Sequence, residues 1–311
     1  MQDRRHKDQA ELSADSIVAR AGEVLADLLE RPLASGLYLV ATPIGNLGDV
    51  SLRALSVLAR AELIAAEDMR HSKKLFSHFA IAGELTPYHE HNAAKERPRL
   101  LARLRAGASV ALISDAGTPL ISDPGYKLVR EALAEGLTVI SIPGPSAILA
   151  ALTSAGLPTD TFLFAGFLPP KSGARRVRLE ELKSVPATLV FFETARRLAK
   201  SLADMAEVLG AREAAIAREL TQLHEAVTRG TLDRLIGEFS ESDTLKGEFV
   251  VVVAPPIEDA AGVSDEQIVE QLNKALKVES FRDAVRSVAE VLQVPRSRVY
   301  EIGLSLKSKA D

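Results

Sequence analysis

The sequence predicts an α/β protein built from two α/β domains and a small helical appendage at the C-terminus. Three patterns carry this prediction. Short apolar runs alternate with helical stretches over residues 37–142, a second set of apolar runs follows over 162–253, and residues 264–308 are helical throughout. Strands that alternate with helices need crossover connections, which gives a largely parallel first sheet.

Taken in order, residues 1–13 are polar and expected to be disordered. Residues 14–31 carry Ile17, Val18, Ala21, Val24, Leu25 and Leu28 at helical spacing, predicting an amphipathic helix. Strands follow at 37–41, 63–66, 85–88, 109–114 and 137–142, with helices near 50–60, 70–79, 93–106 and 124–135. The runs FLFAGFL (162–168), TLVFFE (188–193), AAIARE (214–219), HEAVTR (224–229) and EFVVVV (248–253) predict a second sheet. Pro255-Pro256 marks a boundary. Beyond it, one helix, a turn at Val294-Pro295 and a second helix from about Ser297 have the spacing of a helix-turn-helix. The expected domains are a partly disordered extension (1–35), two α/β domains (36–157 and 158–256) and the helical appendage (257–311).

Composition narrows the function. The 311 residues are 47% hydrophobic and 26% charged, as in a soluble globular protein, and contain no cysteine. Disulfides and thiolate metal sites are thereby excluded. No apolar run reaches the roughly 18 residues that span a bilayer, and the N-terminus has no apolar core of a secretory signal. A cytoplasmic protein without membrane contact is the expectation. The net charge of −4 gives no global pull toward nucleic acid, so any such binding must come from local patches. Residues 280–311 supply one: six Lys/Arg against four Asp/Glu.

In a parallel sheet, functional loops sit at the carboxyl ends of the strands. All five expected strands of the first domain end there in turn-forming or charged residues: TPIGNLGD after 41, EDMRH after 66, HEHN after 88, SDAGTPLISDPG after 113 and PGPSA after 142. Their coincidence on one rim points to a ligand crevice. The dinucleotide fingerprint G-x-G-x-x-G and the P-loop are both absent. Asp115 and Asp123 would repel a polyphosphate, so a zwitterionic or cationic ligand suits this rim better.

Those motifs, together with GLPTDTFLFAGFLPPK, ARELTQLHEAVTRG and KGEFVVVV, resemble in order and spacing the bacterial small-subunit ribosomal RNA methyltransferase I family over residues 36–255. The resemblance implies the tetrapyrrole-methylase fold, with S-adenosylmethionine held in a cleft between the two α/β domains. It also implies 2′-O-methylation of a cytidine ribose in 16S rRNA near the decoding centre of the small ribosomal subunit, by a homodimer. Carried onto this chain, it implies that Pro43, Gly117, Thr118, Pro119, Ile121, Ser146, Ala147 and Phe192 line the cofactor. Two positions depart from the family pattern. Met69 replaces a threonine in Glu-Asp-Thr-Arg, and Arg196 stands where a histidine is usual, so no histidine base can be obligatory there.

A ribose hydroxyl needs a proton acceptor or a stabilising cation before it attacks. The candidate acids are Glu67, Asp68, Asp115 and Glu193. Arg70, His91 and Arg196 are candidates to hold substrate. Lys171, Arg175, Arg176 and Arg178 form a basic segment suited to RNA phosphates or, equally, to a solvated helix face. His89 and His91 without a further ligand make a metal site a poor expectation. Two other functions stay open from the residues alone: a methylase of a tetrapyrrole or other small acceptor, and a non-catalytic nucleic-acid-binding regulator. The basic segment and tail argue against the first, and the intact rim loops against the second.

Overall fold

A computed structural model describes residues 14–240, 246–256, 264–277, 279–292, 294 and 296–308. The polar segment 1–13 and Pro295 of the expected turn lie outside the described residues.

The first sheet holds β1 (Gly36–Val40), β2 (Leu63–Ala66), β3 (Leu85–Pro87), β4 (Ser109–Ile113) and β5 (Val139–Ile142) in the spatial order β3-β2-β4-β1-β5. Every pairing in it is parallel. Its crossovers run through α2 (Leu52–Arg60), α3 (Met69–His78), α4 (Ala93–Arg105) and α5 (Tyr126–Ala134). Side chains alternate across the sheet. Tyr38, Val40, Ile64, Ala111 and Ile113 face α2 and α3, whereas Leu37, Leu63, Val110 and Leu112 face α4 and α5. Burial on both faces explains why these strands are unbroken apolar runs instead of alternating ones. α1 (Ala14–Glu30) rests on α2, where Ser56 Oγ donates to the Leu28 carbonyl at 2.9 Å. None of its residues is buried, and Ile17 and Val18 are 59% and 71% exposed. The expected amphipathic helix forms, but its apolar stripe is largely uncovered in the single chain.

The second sheet holds β6 (Phe162–Phe167), β7 (Thr188–Thr194), β8 (Glu213–Arg218), β9 (Ala226–Thr231) and β10 (Glu248–Val253), ordered β6-β7-β10-β8-β9. Only β6–β7 is parallel. α7 (Ser172–Leu182), α8 (Ala195–Leu209) and α9 (Leu232–Ser240) cover one face through Leu189, Phe191, Ile216 and Val251. α6 (Ala147–Ala155) covers the other through Ile148, Ala151 and Leu152, against Val190, Ala217 and Val252. α6 lies within the range expected for the first domain, yet it packs on the second sheet. The chain therefore changes sheets at the loop 143–146. β9 begins two residues later than expected, because Glu225 is used in a turn, accepting from the Thr221 N–H at 2.7 Å.

The C-terminal helices α10 (Asp265–Ala275), α11 (Phe281–Leu292) and α12 (Arg296–Ser308) share a core of their own, with Ile268, Leu272, Val285, Val288 and Val299. Ser264 and Gln267 cap α10 reciprocally, and Arg298 reaches Asp265 at 2.7 Å. The expected pair of helices is the second half of this three-helix unit.

Candidate active site

The parallel order of the first sheet carries all five rim loops to one edge, and four of them are laced together. The Thr42 and Gly117 backbones exchange hydrogen bonds at 2.9 and 3.0 Å. Thr42 Oγ1 donates to the Ser114 carbonyl (3.3 Å), and Thr118 Oγ1 donates to the Pro145 carbonyl (3.3 Å). Gly117 has φ +77°, a left-handed value that favours glycine, and a Cβ there would meet Ile44 at 3.2 Å. Leu120 and Ser122 hold positive φ (73° and 68°) without being glycine. Such backbone strain concentrates in loops that grip ligands.

This laced rim faces the second sheet. Gly45 is where the two come closest: a Cβ there would lie 2.3 Å from Gln222 Cγ. Asn46 N–H also donates to Thr221 Oγ1 across the gap at 3.1 Å. Between the sheets lies a cleft of about 260 Å³. Gly117, Thr118, Ile121, Ser146, Ala147 and Phe192 all line it, as expected. The second sheet adds an aromatic wall, with Phe192 4.8 Å from Phe164 and 5.6 Å from Phe167 between ring centroids. Asp123 also lines the cleft; burial, then the neighbouring Asp115, raise its pKa against the pull of a Ser114 hydrogen bond.

A second cavity of about 500 Å³ adjoins the first, and the two share Ile44, Ala116, Gln222 and Glu248 in their walls. Its lining is the more polar of the two, setting His71, Ser72, Lys74, Asp115 and Glu219 beside Ile44, Leu47 and Leu75. Pro43, expected at the cofactor, lines this cavity and not the cleft, while its neighbour Ile44 lines both. Pro119 is buried and lines neither cavity; it stiffens the loop from behind.

The four candidate acids separate. Asp115 opens on the polar cavity. Its Oδ1 accepts from Asp68 N–H (2.8 Å), and its own N–H donates to Glu67 Oε2 (3.4 Å). Glu67 lines neither cavity; burial, then Asp123 and Asp115, raise its pKa. Asp68 caps α3 and grips Arg70 at 2.7 Å, and that hydrogen bonding lowers its pKa to about 2. An anion so held is a poor proton acceptor. The Glu193 carboxylate accepts from Ser201 Oγ (2.5 Å) and Thr194 N–H (2.8 Å), and lies 3.3 Å from Arg197. Its side chain is 1% exposed and anchors α8, and the residue forms part of the cleft wall beside Phe192 and Thr194.

The expected substrate contacts fare unevenly. Arg175 is buried at 3% exposure and paired to Asp204 at 2.6 Å. Arg176 is held by Asp204 and Glu207, and Arg178 by Glu181. The basic segment is thus largely an internal salt-bridge network, with only Lys171 exposed and unmatched among its described cations. Arg196 is exposed, two residues beyond Thr194 in the cleft wall. Arg70 is 91% exposed, and His91 is at the surface outside both cavities.

The cleft fits S-adenosylmethionine. Apolar walls suit a stacked base, the glycine-bearing loop brings backbone close, and Asp123 suits a cation that a phosphate site would reject. Comparison with known proteins agrees. Residues 36–236 match the family model for Tetrapyrrole (Corrin/Porphyrin) Methylases. The ribosomal RNA small subunit methyltransferase I of Mesorhizobium japonicum is 60% identical over 72% of this chain and 77% of its own. The chain belongs to that methyltransferase family. The Pseudomonas aeruginosa member is 45% identical over 89% of this chain and 99% of its own. Among solved structures, uroporphyrin-III-C-methyltransferase from Thermus thermophilus has a TM-score of 0.52 at 25% identity, covering 71% of this chain and 94% of its own. Diphthine synthase has a TM-score of 0.55 at 17% identity, covering 70% and 89%, a likeness of fold. As a family member the chain is an S-adenosylmethionine-dependent methyltransferase.

The residues that sequence reasoning missed are Ile44, Leu220, Gln222, Glu248, His71 and Lys74. His71 directly follows EDMR, Lys74 lies one helical turn beyond Arg70, and Glu248 opens the EFVVVV run. All but Lys74 sit inside a recognised motif, where more distinctive neighbours drew the assignment.

Proposed function

We propose that this enzyme methylates the 2′-hydroxyl of a cytidine ribose in 16S rRNA of the small ribosomal subunit. The observation that carries this reading is the junction of an apolar cofactor cleft with a separate polar cavity that displays carboxylates. A donor and a hydroxyl-bearing acceptor can meet there without sharing one pocket. The naming of relatives as ribosomal RNA small subunit methyltransferase I supports the same reading.

Bound S-adenosylmethionine supplies an electrophilic methyl group on a sulfonium. The chain supplies alignment, because in-line displacement gains most of its rate from fixed geometry. Thr42, Gly117, Thr118 and Pro145 set that geometry by locking their loops together. Asp115 is the proton acceptor for the ribose hydroxyl in this reading, since it is the one candidate acid that lines the polar cavity. Glu67 and Asp68 act through it, as positioning residues that hold its backbone and its Oδ1. Arg70, neutralised by Asp68, serves this brace more than the substrate.

The remaining features extend the proposal. Residues 36–256 do the chemistry, and 257–311 form a basic appendage for RNA. The functional form is a cytoplasmic homodimer, a reading that the family resemblance and the uncovered apolar residues of α1 support. No helix among the described residues is long and apolar enough to cross a membrane.

The test is methyl incorporation from labelled S-adenosylmethionine into 30S subunits, naked 16S rRNA and uroporphyrinogen. The expected product is label in 16S rRNA within an alkali-resistant dinucleotide, the mark of 2′-O-methylation. Label on a base, or only in the porphyrinogen, would overturn the reading.

A further inference from the structure

The polar cavity has a basic lip. α3 presents His71, Lys73, Lys74 and His78 to solvent, while Ser72, Leu75 and Phe76 are buried beneath. Leu75 and Phe76 belong to the first domain's core, so the exposed face is mounted on a rigid base. His71 and Lys74 line the cavity itself. Many cations of this chain are matched at close range: Arg97 to Glu131 at 2.9 Å, Arg105 to Glu135 at 2.6 Å and Arg70 to Asp68 at 2.7 Å. Among the described residues, His71, Lys73 and Lys74 have no carboxylate within ion-pair distance. The acids that share the cavity with them are Asp115, Glu219 and Glu248, which come from the β4 loop and the second sheet.

The charges are therefore sorted by element: cations on α3, carboxylates on the β4 loop and the strand ends of the second sheet. That order suits a phosphodiester strand. Its phosphates favour the lysines, and the facing carboxylates repel phosphate but accept hydrogen bonds from sugar hydroxyls. We propose that the solvent face of α3, through His71, Lys73 and Lys74, binds the backbone of a single-stranded RNA segment and leads one nucleotide into the polar cavity. This rests on the ribosomal RNA reading above. It also assigns to α3 the phosphate contacts that the sequence suggested for α7, whose Arg175 and Arg176 are committed to Asp204.

The test uses the full-length enzyme with Lys73→Gln and Lys74→Gln combined, binding to 30S subunits and to 16S rRNA fragments at several salt concentrations. The slope of log affinity against log salt should shrink by about 0.7 to 0.9 for each lost contact, with affinity at moderate salt falling about tenfold. The loss should be similar for every RNA sequence, since phosphates carry no sequence information. Affinity for S-adenosylmethionine and thermal stability should be unchanged, and the paired Lys73→Arg, Lys74→Arg variant should regain the slope. An unaltered slope in the stable Gln variant would overturn the proposal, as would a loss that the Arg variant fails to restore. Wild-type enzyme that binds no RNA at any salt would instead remove the ribosomal RNA reading, and this assignment with it.

Discussion

At the scale of single residues, chemistry on this chain is decided by what each charged group touches. Asp204 shows this most clearly. Burial opposes its ionisation, but hydrogen bonds from Arg176, Ser172 and Arg175 prevail and lower its pKa. Asp204→Asn would leave the Arg175 guanidinium buried without its counter-charge, so a loss of about 3–5 kcal/mol is expected in denaturant melts. The sign of its pH dependence follows. A carboxylate with a lowered folded pKa contributes stability above its ordinary value, about 3.9, and loses it as pH falls through the folded value. The gap between wild type and Asp204→Asn should be full at neutral pH and close in acid; a gap that widens in acid would refute the pairing. Asp115 makes the opposite case, a carboxylate left open to a cavity. Asp115→Asn should lower kcat by about 10²–10⁴-fold with S-adenosylmethionine affinity retained, and single-turnover kinetics would check it. The sequence distinguished neither role. Asp68, Asp115 and Glu193 look alike as acids at strand ends, and only their partners tell a cap, a carboxylate open to a cavity and a buried anchor apart. Arg175 misled for the same reason, because a buried arginine and a phosphate-binding arginine are the same letters until Asp204 is seen 29 positions away.

At the scale of elements, the sequence was informative wherever burial was two-sided. The LIAA run is β2 to the residue, because every side chain in it is buried. Motif order also placed the rim loops together, since parallel strands must deliver their carboxyl-end loops to one edge. What was hidden was allegiance between layers. α6 follows β5 in sequence but packs on the second sheet, a long-range choice made by Ile148, Ala151 and Leu152. The C-terminal helices are the converse, a unit whose core is drawn from α10, α11 and α12 alone. Deleting residues 258–311 should therefore leave S-adenosylmethionine affinity and the main thermal transition in place while weakening binding to 30S subunits. Calorimetry and filter binding on the truncated chain would check this. Collapse of the main transition would mean that the helices support the α/β core instead.

At the scale of the whole molecule, function arises from two sheets of different make. An all-parallel sheet provides the loop edge, a mixed sheet provides an aromatic wall, and between them an apolar cleft and a more polar cavity meet at Ile44, Ala116, Gln222 and Glu248. The sequence alone carried the first sheet and its rim. The junction of the cavities was not legible, because Ile44, Gln222 and Glu248 come from three distant segments that meet only on folding. The central claim is that this cleft holds the methyl donor against the loop that bears Thr118. Isothermal titration of S-adenosylmethionine, with chelator present, into wild type and Thr118→Arg tests it most directly. The account predicts metal-independent binding in the micromolar range for wild type and none for Thr118→Arg, whose longer side chain fills the cleft while the thermal melt stays unchanged. No binding by wild type, or equal binding by a folded Thr118→Arg, would contradict it.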